Sequence, residues 1–325
     1  MGATTAIAAD VSRDQGNYPL DVSIIIATYN ARELLLNCLA SIYDHPPKVP
    51  FEVIVYDDAS KDGTTQAVSA QFPQVRLYTN EVNVHYATSN NRAFRVAQGR
   101  FYFLLNSDTL VMPDAIDLMV RFLCEHPDAG AVGSKLLNED GTLQLSVKSL
   151  PSIGSALFGL RSFLFRWFPT NRFTRAHLPQ INNDIDVPCV AGYVSSAAVM
   201  IPREVVERVG DLDRRLSYHV DADYSKRISD LGLKNYYLPT ARIVHLNHRG
   251  GTMVSFRRRF RSLVEFHRGS YIYYVKHVRW SRWSPMQIVV IGGLAARFIL
   301  SLGGQLVAEV YDMGKWCLNR KKEIR

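Results

Sequence analysis

Three acidic clusters and a pair of histidines hold most of the chemistry available to this chain. Asp57-Asp58 closes the run Val53-Ile54-Val55-Tyr56. A carboxylate at a strand end can accept from a base N–H or a ribose hydroxyl, and the same acids suit a turn ahead of Ser60 and Asp62-Gly63. Asn106-Ser107-Asp108 closes the run Phe101-Tyr102-Phe103-Leu104-Leu105. Mg²⁺ and Mn²⁺ take oxygen ligands, few from protein and several from substrate phosphates, so one carboxylate plus a diphosphate suffices. The competing role is capping, with Thr109 or Asp108 at the start of a helix that begins near Pro113. In Asp221-Ala222-Asp223, a carboxylate that faces an acceptor hydroxyl serves as general base. Asp223 suits a helix start, where the dipole favours negative charge, which leaves Asp221 as the better base. His245 and His248 precede Gly250-Gly251 and can complete a metal site or contact phosphate.

The elements that must position these residues alternate. Strands are predicted over Val22–Thr28, Phe51–Tyr56, Val75–Tyr78 and Phe101–Leu105, from Ala129, and over Ala197–Ile201. Helices are predicted over Leu34–Tyr43, Thr64–Gln71, Ser89–Gln98, Pro113 to about Glu125, Arg203–Val209 and Asp223–Leu231. Lys234–Leu238 and Ala241–Val244 read as two short extended pieces. Strands apolar on both faces and alternating with helices predict an α/β fold, a Rossmann-like, mostly parallel sheet flanked by helices. In such sheets ligands sit just beyond the carboxyl ends of the strands. Asp108 is therefore placed where a metal ion and a phosphate would be held.

At 325 residues, 47% hydrophobic and 21% charged, the chain is ordinary globular material. Its four cysteines form no CxxC pair, which argues against a zinc site or a disulfide framework. Residues 1–20 are polar, lack a secretory signal pattern and read as a flexible arm. Residues 21–250 form the α/β domain, in which 150–187, rich in Phe, Arg and Pro, reads as an insertion on the acceptor side. Residues 249–325 hold 15 Lys/Arg against 4 Asp/Glu, whereas the first 248 hold 23 against 26. The basic character thus belongs to the C-terminal part, residues 251–325. There Phe256, Phe260, Leu263, Val264, Tyr271, Tyr274, Val275 and Val278 recur at helical spacing among arginines, ahead of Trp280 and Trp283. That mixture favours an anionic membrane surface over nucleic acid. Residues 286–311 are long enough to span a bilayer, but Arg297, Ser301, Gln305 and Glu309 recur every four residues as a polar stripe. The stripe favours monotopic attachment over a single span.

The order and spacing of the motifs are more specific than any one of them. Val22–Asn30, Glu52–Thr64 with its Asp57-Asp58-Ala59-Ser60-Lys61-Asp62-Gly63, Leu104–Thr109, Ile201–Asp213, Asp221-Ala222-Asp223 and Ala241–His245 together resemble the family 2 glycosyltransferases of GT-A fold. Phe266–Lys276 is similar to the rhamnosyltransferase-like branch of that family. The resemblance covers roughly residues 21–277. It implies that Thr28, Asn30 and Asp57 line a nucleoside pocket and that Asn91 or Arg92 reaches the ribose or diphosphate. Asp108 matches the last carboxylate of the family's metal-binding DxD motif, Asp221 its base, and His245 (or His248) the histidine near metal and diphosphate. Asn106 and Gly192 complete the candidate substrate-binding set. The chain departs from the pattern in having Asn106 for the first DxD carboxylate, Val220 before Asp221, and no glycine near Asn83-Val84.

The implied reaction is inverting, metal-dependent transfer of a sugar from a nucleotide-diphosphate sugar to a glycan or polyprenyl-linked acceptor, with Mg²⁺ or Mn²⁺ as cofactor. The implied place is the cytoplasmic face of the plasma membrane, in cell-surface polysaccharide synthesis. The sugar leans to rhamnose, and no nucleic acid is involved. Two other functions compete. A nucleotidyltransferase would carry a Gly-rich loop after the first strand, where Thr28-Tyr29-Asn30-Ala31-Arg32 has no glycine. A non-catalytic sugar-nucleotide-binding scaffold would not need Asp57, Asp108 and Asp221 together.

Overall fold

Val22, Ile24, Ile25 and Ile26 expose no surface, as a strand covered on both faces requires. They belong to β1 (Leu20–Thr28) in a computed structural model that describes residues 18–151, 185–246, 256–277, 287–288 and 290–305. Residues 1–17, nearly all of the 150–187 segment, His248, Gly250-Gly251, Val278, Trp280, Trp283 and residues 306–325 lie outside the described part. The chain divides into two units, residues 1–150 with 176–248 and residues 151–175 with 249–325.

The first unit is built on a nine-stranded sheet in the order β3-β2-β1-β4-β10-β6-β11-β5, with β8 beside β11. Around β1 run β2 (Phe51–Asp57), β3 (Arg76–Thr79) and β4 (Gly99–Leu105), all parallel. Beyond β4 lies β10 (Ala198–Pro202), antiparallel to β4 and to β6 (Ala129–Leu137). β11 (Lys234–His245) is parallel to β6 and antiparallel to β5 (Thr109–Val111) and to β8 (Cys189–Ala191). A small second sheet pairs β7 (Val147–Lys148) with β9 (Tyr193–Val194). The helices are α1 (Arg32–Asp44), α2 (Thr64–Gln71), α3 (His85–Val96), α4 (Ala115–Glu125), α5 (Arg203–Val209) and α6 (Val220–Asp230). The predicted alternation and mostly parallel sheet are therefore present.

Buried Glu52 locks the parallel register. It accepts from Ser23 Oγ at 2.6 Å and Gln98 N at 2.7 Å and pairs with the Arg76 guanidinium, tying β1, β2 and β3 to the start of β4.

Three details differ from the sequence expectation. Between Asp108 and the α4 helix lies β5, held by pairing of Thr109, Leu110 and Val111 with His245, Val244 and Ile243. Neither Asp108 nor Thr109 caps a helix; α4 starts at Ala115, behind Asp114 at φ +60°. The two pieces 234–238 and 241–244 are one strand, with a register shift between Leu238 and Arg242. Pro239 lies in that shift, where its missing N–H breaks no ladder bond. Finally, α6 starts at Val220 rather than Asp223, so Asp221 is a first-turn residue.

In the second unit, α7 (Phe256–His277) is a 22-residue helix, and residues 290–305 are also helical. The Phe298 ring meets Phe260 at 6.2 Å and His267 at 5.3 Å, and the Arg297 guanidinium lies over the Phe266 ring at 5.0 Å. One member of the expected polar stripe is thus turned onto α7. Among the described residues, no helix is long and apolar enough to cross a membrane.

Candidate active site

The carboxyl ends of β1, β2, β4 and β11 lie along one edge of the sheet, as their mutual directions require. Thr28 and Asp57 are register partners there. Asp57 Oδ2 accepts from Ser60 N at 3.0 Å and Thr65 Oγ1 at 3.3 Å. Its Oδ1 and the Thr28 hydroxyl are buried with no hydrogen-bond partner. Orphaned polar atoms at a strand end are where a ligand's donor restores the missing bond. Asp58 differs. It accepts from Asn80 Nδ2 at 2.9 Å and from the Val84 and His85 amides at 2.8 Å, so it holds the loop before α3.

Asn30, at φ +48°, accepts from Lys61 N at 2.7 Å while its own N–H donates to Ser60 Oγ at 2.8 Å. It fastens the β1–α1 turn to the turn after β2. Asn91 is buried, and both ends of its amide engage the Leu212 backbone at 2.8 and 2.9 Å. Its observed work is to hold the 211–213 loop. Arg92 is exposed and donates to Asn80 Oδ1, beside the stacked Tyr56 and Tyr78 rings. Gly192 permits a close crossing: a Cβ there would lie 2.4 Å from Leu150 N and 2.6 Å from Ser149 Cα. Gly192→Ala should therefore lower stability by about 1–3 kcal/mol, the usual size of an overpacking effect, seen as a reduced melting temperature.

Asn106 donates its N–H to Ala197 O at 2.9 Å and accepts from Thr109 Oγ1 at 2.7 Å, which shapes the β4–β5 turn. Behind the turn, burial pushes the Cys38 thiol up to about 12, so it stays neutral. Asp108 Oδ1 stands 3.3 Å from His245 Nε2, both side chains about four-fifths buried. β5–β11 pairing makes this contact, because His245 opposes Thr109. Adjacent ligands on an octahedral ion at about 2.1 Å stand roughly 3 Å apart. The pair therefore fits a hard divalent cation that draws its other ligands from phosphates. Among the described residues, no group of three His, Cys, Asp or Glu could hold a metal alone.

Asp221 approaches from α6. One of its oxygens accepts from Ala222 N at 2.9 Å. Burial pushes its carboxyl above the ordinary range, against the opposing pull of Lys148. A small, mostly apolar pocket, with Tyr86, Ser196, Asp221 and Tyr224 among its lining residues, adjoins it. Tyr86 Oη donates to Ser196 O at 3.2 Å, just ahead of β10, so Asp221 joins the edge that carries Asp108. Lys148, not evident from sequence, lies on β7 with its Nζ 5.5 Å from the Tyr193 ring. Two residues on from Asp221, Asp223 is fully buried and pairs with Arg227 at 3.0 Å. Asp223→Asn should remove one partner of a buried ion pair, costing about 3–5 kcal/mol, and show as a large drop in melting temperature.

An α/β sheet of this order, with an Asp–His pair at the strand ends and a further carboxylate on a helix at the same edge, is the architecture of GT-A glycosyltransferases. Residues 23–200 match Glycosyl transferase family 2, and the chain belongs to that family. It is 27% identical over 299 residues to the N-acetylglucosaminyl-diphospho-decaprenol L-rhamnosyltransferase of Mycobacterium tuberculosis, covering 87% of this chain and 93% of that protein. The fold matches the mannosyltransferase PcManGT from Pyrobaculum calidifontis in complex with GDP-Man and Mn²⁺, with TM-score 0.54, 20% identity, and coverage of 92% of this chain and 76% of that one. S. aureus TarS matches with TM-score 0.51, 16% identity, and coverage of 85% and 43%.

Proposed function

We propose that this glycosyltransferase inverts the anomeric centre as it moves a sugar, rhamnose by preference, from a nucleotide-diphosphate donor to a polyprenyl-linked glycan acceptor. The observation that carries the reading is the half-buried Asp221 carboxyl, made more basic by its surroundings, on the sheet edge that also holds Asp108 and His245. Asp221 takes the proton from the acceptor hydroxyl as that oxygen bonds to the anomeric carbon. The bond from that carbon to the diphosphate breaks on the opposite face, and its electron pair leaves with the nucleotide. Thr28 and Asp57 hold the nucleoside. Asp108 and His245 are the residues that would bind Mg²⁺ or Mn²⁺, whose charge offsets that of the departing diphosphate. The relative with 87% coverage of this chain is named for a polyprenyl-diphosphate acceptor and a rhamnosyl product, which supports the choice of substrates.

Purified full-length chain, given dTDP-rhamnose or UDP-hexoses with Mn²⁺, should release free nucleoside diphosphate only when vesicles carrying a polyprenyl-diphosphate-linked sugar are added. Donor binding without release would favour the scaffold reading. Pyrophosphate release from a nucleoside triphosphate and a sugar phosphate would favour the nucleotidyltransferase.

The same reading places the second unit on a membrane surface, the cytoplasmic leaflet in which such lipids are charged. Its support is one exposed arc of α7. Phe260, Val264, Tyr271 and Val275 alternate there with exposed Arg257, Arg261 and Arg268. The helix over 290–305 adds exposed Ile291, Ile299 and Leu300. Apolar groups interleaved with arginine suit the headgroup boundary of an anionic bilayer. Charge removal at Arg257, Arg261 and Arg268 together should weaken binding to phosphatidylglycerol vesicles by roughly 100-fold, at about 1 kcal/mol per residue. Cosedimentation measures it, and wild-type binding that is indifferent to anionic lipid would refute the membrane reading.

A further inference from the structure

The turn after β6 carries a chain of side-chain hydrogen bonds that ends on His245. Asp140 is exposed, and the Thr142 hydroxyl and amide hold its carboxyl below the usual range, so it is an acceptor without a proton. Thr142 Oγ1 donates to it at 2.6 Å. The lone pairs of that hydroxyl then face Asn138 Nδ2, 2.8 Å away. Asn138 Oδ1 is left to accept from Gln144 Nε2 at 2.8 Å. Gln144 Nε2 also donates to the His245 carbonyl at 2.8 Å. A carbonyl only accepts, so the Gln144 amide has one workable orientation. Its Oε1 faces His245 Nδ1 at 2.8 Å. Nδ1 must therefore carry the proton, and in the neutral ring Nε2 presents a lone pair to Asp108 Oδ1 at 3.3 Å.

We propose that Gln144 is the positioning residue of the cation site: backed by Asn138, Thr142 and Asp140, it fixes His245 as the Nδ1–H tautomer and turns the Nε2 lone pair toward Asp108. Two electron-rich atoms facing each other at this separation repel until a proton or a metal ion lies between them, so the site is poised to take a cation. A metal-bound histidine that donates its other N–H to an oxygen is held in place and made a better ligand. The turn is suited to the task. It closes through Asn138 N to Thr142 O and Gly141 N to Asn138 O, and Gln144 N returns to Leu136 O at 2.9 Å. Gly141 takes φ +79°, in the left-handed region that glycine tolerates. The relay rests on the cation reading given above, but it makes a statement about the imidazole that holds without metal.

The test uses the full-length, ¹⁵N-labelled protein without metal, at alkaline pH, with the His245 signals identified by their loss in His245→Gln. Long-range ¹H–¹⁵N spectra should show Nδ1–H. In Gln144→Leu the proton should move to Nε2, where Asp108 accepts it. Mn²⁺ titration with dTDP present, followed by the free-ion EPR signal and corrected for the ion that dTDP binds alone, should show affinity falling about 10–100-fold in Gln144→Leu. Gln144→Glu, whose carboxylate accepts the same Nδ1–H, should stay within about threefold of wild type by the same logic. Asn138→Ala, one bond further out, gives a smaller loss of the same sign and serves if Gln144→Leu fails to fold. An Nε2–H tautomer in the wild type, or unchanged tautomer and affinity in Gln144→Leu, would overturn the proposal. A wild type that takes up no Mn²⁺ beyond what dTDP binds alone would overturn the cation reading itself, and the tautomer spectra tell the two failures apart.

Discussion

Asp221→Asn should lower sugar transfer by roughly two to four orders of magnitude, the usual worth of a positioned general base, while the folded protein becomes more resistant to heat. The two effects have one cause. Burial holds the folded carboxyl above its ordinary value, whereas in the unfolded chain it ionises normally. Between those two values the folded state binds more protons, so stability falls as pH rises through that window. Asparagine removes the charge, is nearly the same shape and keeps an oxygen for the Ala222 amide. Lys148 acts in the opposite sense by favouring the ionised form. Lys148→Met should therefore move the acid limb of the kcat/KM profile to higher pH. Turnover measured across pH, with melting curves beside it, checks both statements. A variant Asp221→Asn that transfers sugar at wild-type rate would remove Asp221 from the mechanism.

Asp108→Ala should abolish metal-dependent binding of the donor and lower turnover by about 10²–10⁴-fold, as expected for losing several kcal/mol of charge stabilisation at 1.4 kcal/mol per decade. Isothermal titration of donor with and without Mn²⁺ should give separate curves for the wild type and coincident ones for the variant. Metal enhancement that survives in Asp108→Ala would place the ion elsewhere. The fold itself should persist. The Asp108 side chain is one-fifth exposed, and the neighbouring pairing is made by backbone, including Leu246 N to Asp108 O at 2.9 Å.

The sheet was legible because its strands are apolar on both faces, as in Ile24-Ile25-Ile26 and Phe103-Leu104-Leu105, and because turn residues mark where each stops. The Asp108–His245 contact joins two residues that the family resemblance implies for one metal site. What periodicity could not show depends on long-range pairing. β5 is only three residues long and exists because β11 lies alongside it. Asp57 and Asp58 are adjacent and chemically alike, yet only the first keeps a buried, unpartnered oxygen. The donors that satisfy the second come from Asn80, Val84 and His85. Asn91 and Gly192 carry no local mark of the Leu212 backbone or of the Ser149–Leu150 crossing that occupies them. Lys148 and Gln144 stand close to chemistry only because β7 and the turn before it fold back on α6 and β11.

β10 joins β4 across a long excursion of the chain, with Ala198 opposite Leu105. Within that excursion, residues 151–175 are grouped with the second unit. Closing a loop becomes harder only with the logarithm of its length, so doubling it costs about 0.6 kcal/mol. Insertions or deletions between Pro151 and Arg175 should therefore cost the sheet little. Gly99, by contrast, sits where a Cβ would lie 2.4 Å from Ser23 N, so the β1–β4 half has almost no room for change. The architecture thus holds one part of the chain to a fixed length and packing while it tolerates a change of length in another.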